Sequence, residues 1–184
     1  IFLGSNPLAF GAPGKGEPVI IDMSTTHVAW GKVLVARQEG KPIPPEWGVD
    51  QEGKPTTDAR EVVGLAPTGG HKGYALAMMI EILCAQLAGV PFGRHVTQMY
   101  GELDKPRNLG HFMLALDVAR FADPAVFRSQ IESFLQEIRS EQAMAPGDPE
   151  RRNAERRKRE GIEIPEAALK ELNALAAQLG VAKL

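Results

Sequence analysis

The sequence predicts an α/β fold of unusual topology, a mixed sheet built around a central buried helix. Three observations point there. Segment 72–88 is almost continuously apolar, interrupted by Glu81 and Gln86 alone, and a helix apolar on every face belongs in an interior. Two aliphatic runs, 18–22 and 112–116, read as strands. Strands and helices follow one another without regular βαβ alternation, which argues against a standard doubly wound sheet.

In chain order, Ile1-Phe2-Leu3 reads as the opening of a strand. A Gly/Pro/Lys turn at 13–16 then makes 18–22 the second arm of a hairpin. Thr25 or Thr26 is placed to cap a helix running through Trp30 to about Ala36. From 40 to 68 the chain is rich in Pro, Gly and Asp without a sustained period, the pattern of an extended surface or active-site loop. Loops this long are uncommon without function or partner contacts. After the apolar helix and the strand at 112–116, Asp123-Pro124 supplies a cap and a first-turn proline. Val126, Phe127, Ile131, Phe134, Leu135 and Ile138 form one stripe of the helix that follows. Segment 150–160 is densely charged, with Arg151–Glu155, Glu155–Arg159 and Arg156–Glu160 spaced for ion pairs on a solvated helix. A last helix after Pro165 turns Leu169, Leu172, Leu175 and Leu179 inward and stops at Gly180.

Composition narrows the function. With 184 residues, 43% hydrophobic and 24% charged, the chain has the make-up of a globular protein or part of one. A net charge of −2 argues against nucleic acid as partner. The apolar helix is short for a bilayer span and carries Glu81 near its middle, which argues against a membrane partner. The lone Cys84 cannot form an internal disulfide, so a reducing cytoplasm is the simplest compartment, and its apolar surroundings suit a small core residue better than a nucleophile. The first residue is not Met and no leader is apparent, which suggests a fragment or a processed chain.

Several motifs fail on spacing. Gly14-Lys15 lacks the four residues a P-loop needs between glycines, and Gly16 stands where a Ser or Thr belongs. Gly14-x-Gly16 lacks a third glycine and precedes a strand, so no Rossmann fingerprint is present. His27, His71, His95 and His111 show no zinc-ligand spacing, and no metal is expected.

Two clusters suit a dinucleotide. Asp22-Met23-Ser24-Thr25 places a carboxylate and hydroxyls at a strand-to-helix junction, though ordinary caps use the same residues. Gly69-Gly70-His71-Lys72-Gly73 combines close backbone approach with a cation at a helix start, suited to a phosphate or a carboxamide, or else to a structural turn.

In order and approximate spacing, several segments resemble the malate/L-lactate dehydrogenase family. They are Gly4-Ser5-Asn6-Pro7, Asp22-Met23-Ser24-Thr25, Gly31-Lys32, Ile43-Pro44-x-x-Trp47-x-x-Asp50 and Gly53-x-Pro55-Thr56-Thr57-Asp58. Lys72-Gly73-Tyr74, Asn108-Leu109-Gly110-His111 and Pro146-Gly147 continue the series. Asn6 to Phe10, Ala29 to Leu34 and Val90 to Arg94 look most like the ureidoglycolate-oxidising branch. The resemblance implies a non-Rossmann fold whose N-terminal part is absent here, with a nucleotide-binding part over 1–145 and a charged helical segment over 146–184. It implies an oxidoreductase moving hydride between a small 2-hydroxy acid (ureidoglycolate, malate or lactate type) and NAD, or NADP, with the 2-hydroxy or 2-oxo acid as substrate partner and a homodimer as the assembly. Asp22, Met23 and Ser24 would line the cofactor site, Lys72 and Gly73 would reach the cofactor, and Gly147, Asp148 and Pro149 would form a covering loop. The family's general-base histidine and substrate-gripping His/Arg pair belong to the absent half. None of the four histidines here matches them, so no catalytic residue is assigned and the chain alone is expected to be inactive. A binding or assembly module derived from this family is the rival reading.

Overall fold

The computed structural model describes residues 2–99 and 101–184. It divides into two compact units, Ile1–Phe134 and Leu135–Leu184. Helix and strand are mixed as the sequence suggests, but the single mixed sheet is not formed among the described residues. Two small antiparallel pairs stand in its place.

In the first unit, β1 (Leu8–Ala12) and β2 (Val19–Met23) make the expected hairpin, with Phe10 opposite Ile21 and Ala9 opposite Asp22. Phe2 and Leu3 join no strand, and Ile1 lies outside the described residues. Helix α1 (Trp30–Glu39) starts later than expected and without a side-chain cap. Thr25 and Thr26 are diverted elsewhere. The Thr25 hydroxyl donates to the Ser5 carbonyl at 3.0 Å and that of Thr26 to the Val28 carbonyl at 2.8 Å. Gly40 ends α1 in the left-handed conformation, φ 63°.

The Pro/Gly-rich stretch after α1 is more than a surface loop. It carries β3 (Gly48–Val49) and β4 (Gly64–Leu65), paired antiparallel, and supplies most of the core cluster: Ile43, Ala59 and Val62 close on Val28 and the fully buried Val33. Arg37 ties this stretch to α1 by donating from Nε to the Ala59 carbonyl and from its guanidinium to the Val62 carbonyl, both at 3.1 Å, while stacking 5.8 Å over Trp30. The core's periodicity is invisible in sequence because its members come from an irregular backbone.

Helix α2 (His71–Glu81) widens into a π-helical turn, Ile82–Gln86. The expectation that this segment is buried on every side is not met within the chain. Gly73, Ala77, Ile80 and Ala85 face inward, while Met79, Ile82 and Leu87 lie open. Likewise 112–116 forms no regular element and pairs with no strand among the described residues.

Helix α3 (Pro124–Ser140) begins at Asp123, whose carboxylate accepts from the Ala125 and Val126 amides at 2.7 and 3.1 Å, and it crosses the division between the units. Of its stripe, Leu135 is buried but Val126 and Phe134 are exposed. The second unit continues with α4 (Asp148–Glu160) and α5 (Glu166–Leu179). The three ion pairs expected along α4 do not close among the described residues; Arg151 turns back to Asp148 instead. On α5 the leucine stripe is not inward, since Ala176 is the buried residue and Leu172, Leu175 and Leu179 are exposed. Gly180 stops the helix as expected, φ 67°.

Candidate functional site

Two of the sequence-derived clusters converge through a residue that neither contains, Thr68. Its amide donates to the Thr25 carbonyl at 2.9 Å, next to a bridge between Thr26 and Pro67 and a bond from the His27 amide to Ala66. The Thr25 amide reaches back to Ser5 at 2.9 Å. On the other side, Gly73 packs so closely that a Cβ there would sit 2.1 Å from the Thr68 carbonyl oxygen. The junction after β2 and the start of α2 are thereby laid against one another.

Around this hub the placements differ. Asp22 and Met23 are exposed at the end of β2, and the half-buried Ser24 hydroxyl lies 2.9 Å from that of Thr26. Gly69 and Gly70 take positive φ, 60° and 62°, with open space on the side where a Cβ would point. The amides of Gly69 and His71 donate to no acceptor among the described residues. Lys72 is exposed and makes no ion pair among them. Free amides, an open glycine cradle and an unpaired cation at a helix start suit an anionic oxygen, so the residues fit a nucleotide phosphate.

Sequence reasoning missed the support below this platform. Asn6, at φ 35°, donates from Nδ2 to the Ala77 carbonyl and to Glu81 Oε2, both at 2.8 Å. Glu81 Oε1 accepts from the Gly93 amide at 2.6 Å. Glu81 is thus the staple joining the segment before β1, the end of α2 and the turn after it. The signal was its lone charge within an apolar run, which demands a polar partner when packed.

Gly147, Asp148 and Pro149 lie in the second unit. Gly147, φ 87°, leads into α4, and Asp148 is buried with its carboxylate already committed. It accepts two bonds from Arg139, at 2.9 and 3.1 Å, one from Arg151 and one from the Ala145 amide at 2.9 Å. The Arg139 guanidinium, then that of Arg151, hold this carboxyl far below the usual carboxylate range.

A separate cleft of about 310 Å³ opens between the end of α1 and residues 57–60. Of its charged lining residues, Arg60 pairs with Asp58 at 2.6 Å and Lys41 with Glu39, outside the lining, at 2.8 Å. Hydrogen bonding from Arg60 lowers the Asp58 carboxyl to about 2. Among the described residues no three His, Cys, Asp or Glu side chains gather as metal ligands, and no helix is long and apolar enough to cross a membrane.

The family model for malate/L-lactate dehydrogenase matches residues 1–173. The chain belongs to that family. It is 41% identical over 182 residues to the L-sulfolactate dehydrogenase of Methanothermobacter thermautotrophicus, covering 97% of this chain and 53% of that protein. To the NAD(+)-dependent ureidoglycolate dehydrogenase of Escherichia coli it is 41% identical over 172 residues, covering 89% and 49%. The solved sulfolactate dehydrogenase of Methanocaldococcus jannaschii superposes with a TM-score of 0.79 at 31% identity, over 98% of this chain and 54% of that one. The chain therefore spans about half the length of the relatives it matches.

Proposed function

We propose that this chain is the cofactor-binding portion of a nicotinamide-dependent 2-hydroxyacid dehydrogenase with a non-Rossmann fold. The meeting of the Ser24–Thr25 junction, the Gly69-Gly70 turn and the Lys72-Gly73 helix start at Thr68 carries this reading. Bound there, NAD or NADP would accept hydride from C2 of a small 2-hydroxy acid of the ureidoglycolate, malate or sulfolactate type, leaving the 2-oxo acid and one released proton. The chain's own residues bind and orient. The free amides at Gly69 and His71 and the Lys72 ammonium receive cofactor oxygens, and Asp22, Met23 and Ser24 line the neighbouring wall. The nucleotide-binding part extends over 1–145. In the charged segment 146–184, the covering loop expected at Gly147, Asp148 and Pro149 is replaced by the helical first turn of α4, where Arg139 and Arg151 hold the Asp148 carboxylate. The base that takes the hydroxyl proton is supplied by the portion the relatives have in addition, so the 184-residue chain alone does not turn over. The complete protein works in the cytoplasm as a homodimer.

The test is NADH titration by fluorescence on a protein carrying both portions. A hydrogen bond to a charged group contributes roughly 1.5–3 kcal/mol, so Lys72→Ala and Lys72→Met should each weaken NADH binding about 10- to 100-fold with circular dichroism unchanged. Two folded variants that bind as tightly as the unsubstituted protein would make Lys72 structural and remove the platform.

A further inference from the structure

Gly73, Ala77 and Glu81 follow one another at four-residue spacing along α2, so they lie on one face of it. Gly73 rests against the Thr68 backbone, and Gly73 and Ala77 are both buried. Ala77 and Glu81 are held by a single side-chain amide. Asn6 Nδ2 donates to the Ala77 carbonyl and to Glu81 Oε2, each at 2.8 Å. Lys72 precedes the first member of this stripe and is turned about 100° from it around the helix axis. The orientation of the stripe therefore sets the direction in which the Lys72 ammonium points.

A helix touched only at Gly73 could swing and roll about Thr68. Ala77 lies about 6 Å further along the axis and Glu81 about 12 Å, so the Asn6 amide is a second fixing point with a lever arm. A shift of about 1 Å at Ala77 tilts the helix by roughly 10°. The other end of this lever is tied to the junction after β2. Ser5, the residue before Asn6, accepts from the Thr25 amide at 2.9 Å and from the Thr25 hydroxyl at 3.0 Å. The Thr25 carbonyl in turn accepts from the Thr68 amide at 2.9 Å. Ser5, Asn6, α2, Thr68 and Thr25 thus close a ring, with Ser24 beside one member and Lys72 on another. Asn6 itself holds φ at 35°, a left-handed conformation that asparagine tolerates better than most side chains. Glycine would tolerate it too but brings no donor, whereas the asparagine NH2 has a proton for each of its two acceptors.

We propose that Asn6 is a positioning residue for the nicotinamide cofactor. By gripping Ala77 and Glu81 from the Ser5 side of the ring, it sets the tilt and roll of α2 and so aims Lys72 and the Gly69 and His71 amides. The proposal rests on the reading of this platform as the cofactor site. Asn6 is half-buried with its amide committed to α2, so its contribution to cofactor affinity passes through Lys72. Misplacing a binding group by about 1 Å can cost on the order of 100-fold, which makes a remote grip of this kind measurable.

The test is a double-mutant cycle read by NADH fluorescence titration on a protein carrying both portions. Asn6→Gly keeps the left-handed backbone and removes the amide, while Asn6→Asp keeps the size and removes the donor. Each should weaken NADH binding about 10-fold where Lys72 is present. On top of Lys72→Met each should add no more than about twofold, because the group being aimed is gone. Val33→Ala, in the core cluster with Val28 and Ile43, is the control for stability alone. It should lower the melting temperature and leave NADH affinity unchanged. Asn6 variants that bind NADH as tightly as the unsubstituted protein would overturn the proposal. So would losses of equal size with and without Lys72, or a matching loss of affinity in Val33→Ala. In each of these cases the platform still stands if Lys72→Met alone binds weakly. If Lys72→Met alone binds NADH normally, the platform fails and the proposal fails with it.

Discussion

Adding one methyl group at the hub tests whether its packing is as tight as described. In Gly73→Ala the new Cβ would lie 2.1 Å from the Thr68 carbonyl oxygen and 2.8 Å from its nitrogen. Carbon needs well over 3 Å from such atoms, so the backbone must separate by about 1 Å. The yielding part is backbone held by the bond from the Thr68 amide to Thr25. Overpacking costs about 1–3 kcal/mol and a weakened main-chain bond about 1 more, while alanine returns about 1 kcal/mol of helix propensity. The net loss is about 1–3 kcal/mol, or a melting temperature lower by about 2–12 °C for a chain of this length. Gly31→Ala in α1 is the control, because nothing lies within 4 Å of its Cβ position. The same chemical change there should be neutral or stabilising by up to about 1 kcal/mol. Thermal melts followed by circular dichroism read both. If Gly73→Ala melts at or above the unsubstituted chain, the close approach is absent and the two clusters do not meet as described.

Glu81→Gln keeps the size of the staple but turns an NH2 toward either Asn6 Nδ2 or the Gly93 amide, so one partly buried donor loses its acceptor. A loss of about 1–3 kcal/mol is expected in urea unfolding, and an unmoved midpoint would count against the staple. Acid should unfold the chain partly through Asp148 and Asp58. Both carboxyls are lowered in the folded state, so their contribution is complete above the unfolded value near 4 and is lost as pH falls, for Asp58 down to about 2. Asp148→Asn should be less stable at neutral pH and show a shallower stability loss between pH 5 and 2. An acid limb as steep as before would show that Asp148 is not a coupled group.

What could be read in the sequence was local. The hairpin followed from its turn and β-branched arm, the start of α3 from Asp123-Pro124, and the end of α5 from Gly180, because each signal lies within a few residues of the structure it sets. Non-local partners were not legible. Thr25 has the chemistry of a cap, but Ser5 outcompetes the helix for its hydroxyl. Residues 112–116 have the composition of a strand, yet a strand exists only with a neighbour. The stripes on α3 and α5 and the open side of α2 show the same limit, since periodicity reports which face is apolar and not what covers it. At the site, glycines and a lysine stood out by type, whereas Thr68, Asn6 and Glu81 matter through contacts that span the chain.

Those spans govern how the platform comes into being. The bond from Thr25 to Ser5 closes a loop of 20 residues and that from Asn6 to Glu81 a loop of 75. Loop-closure entropy grows only logarithmically, so the longer closure costs about 1 kcal/mol more than the shorter. Time is affected differently, because folding slows steeply as contacts become remote in sequence. A platform tied together by Asn6, Thr25, Thr68 and Glu81 is inexpensive to keep and slow to assemble.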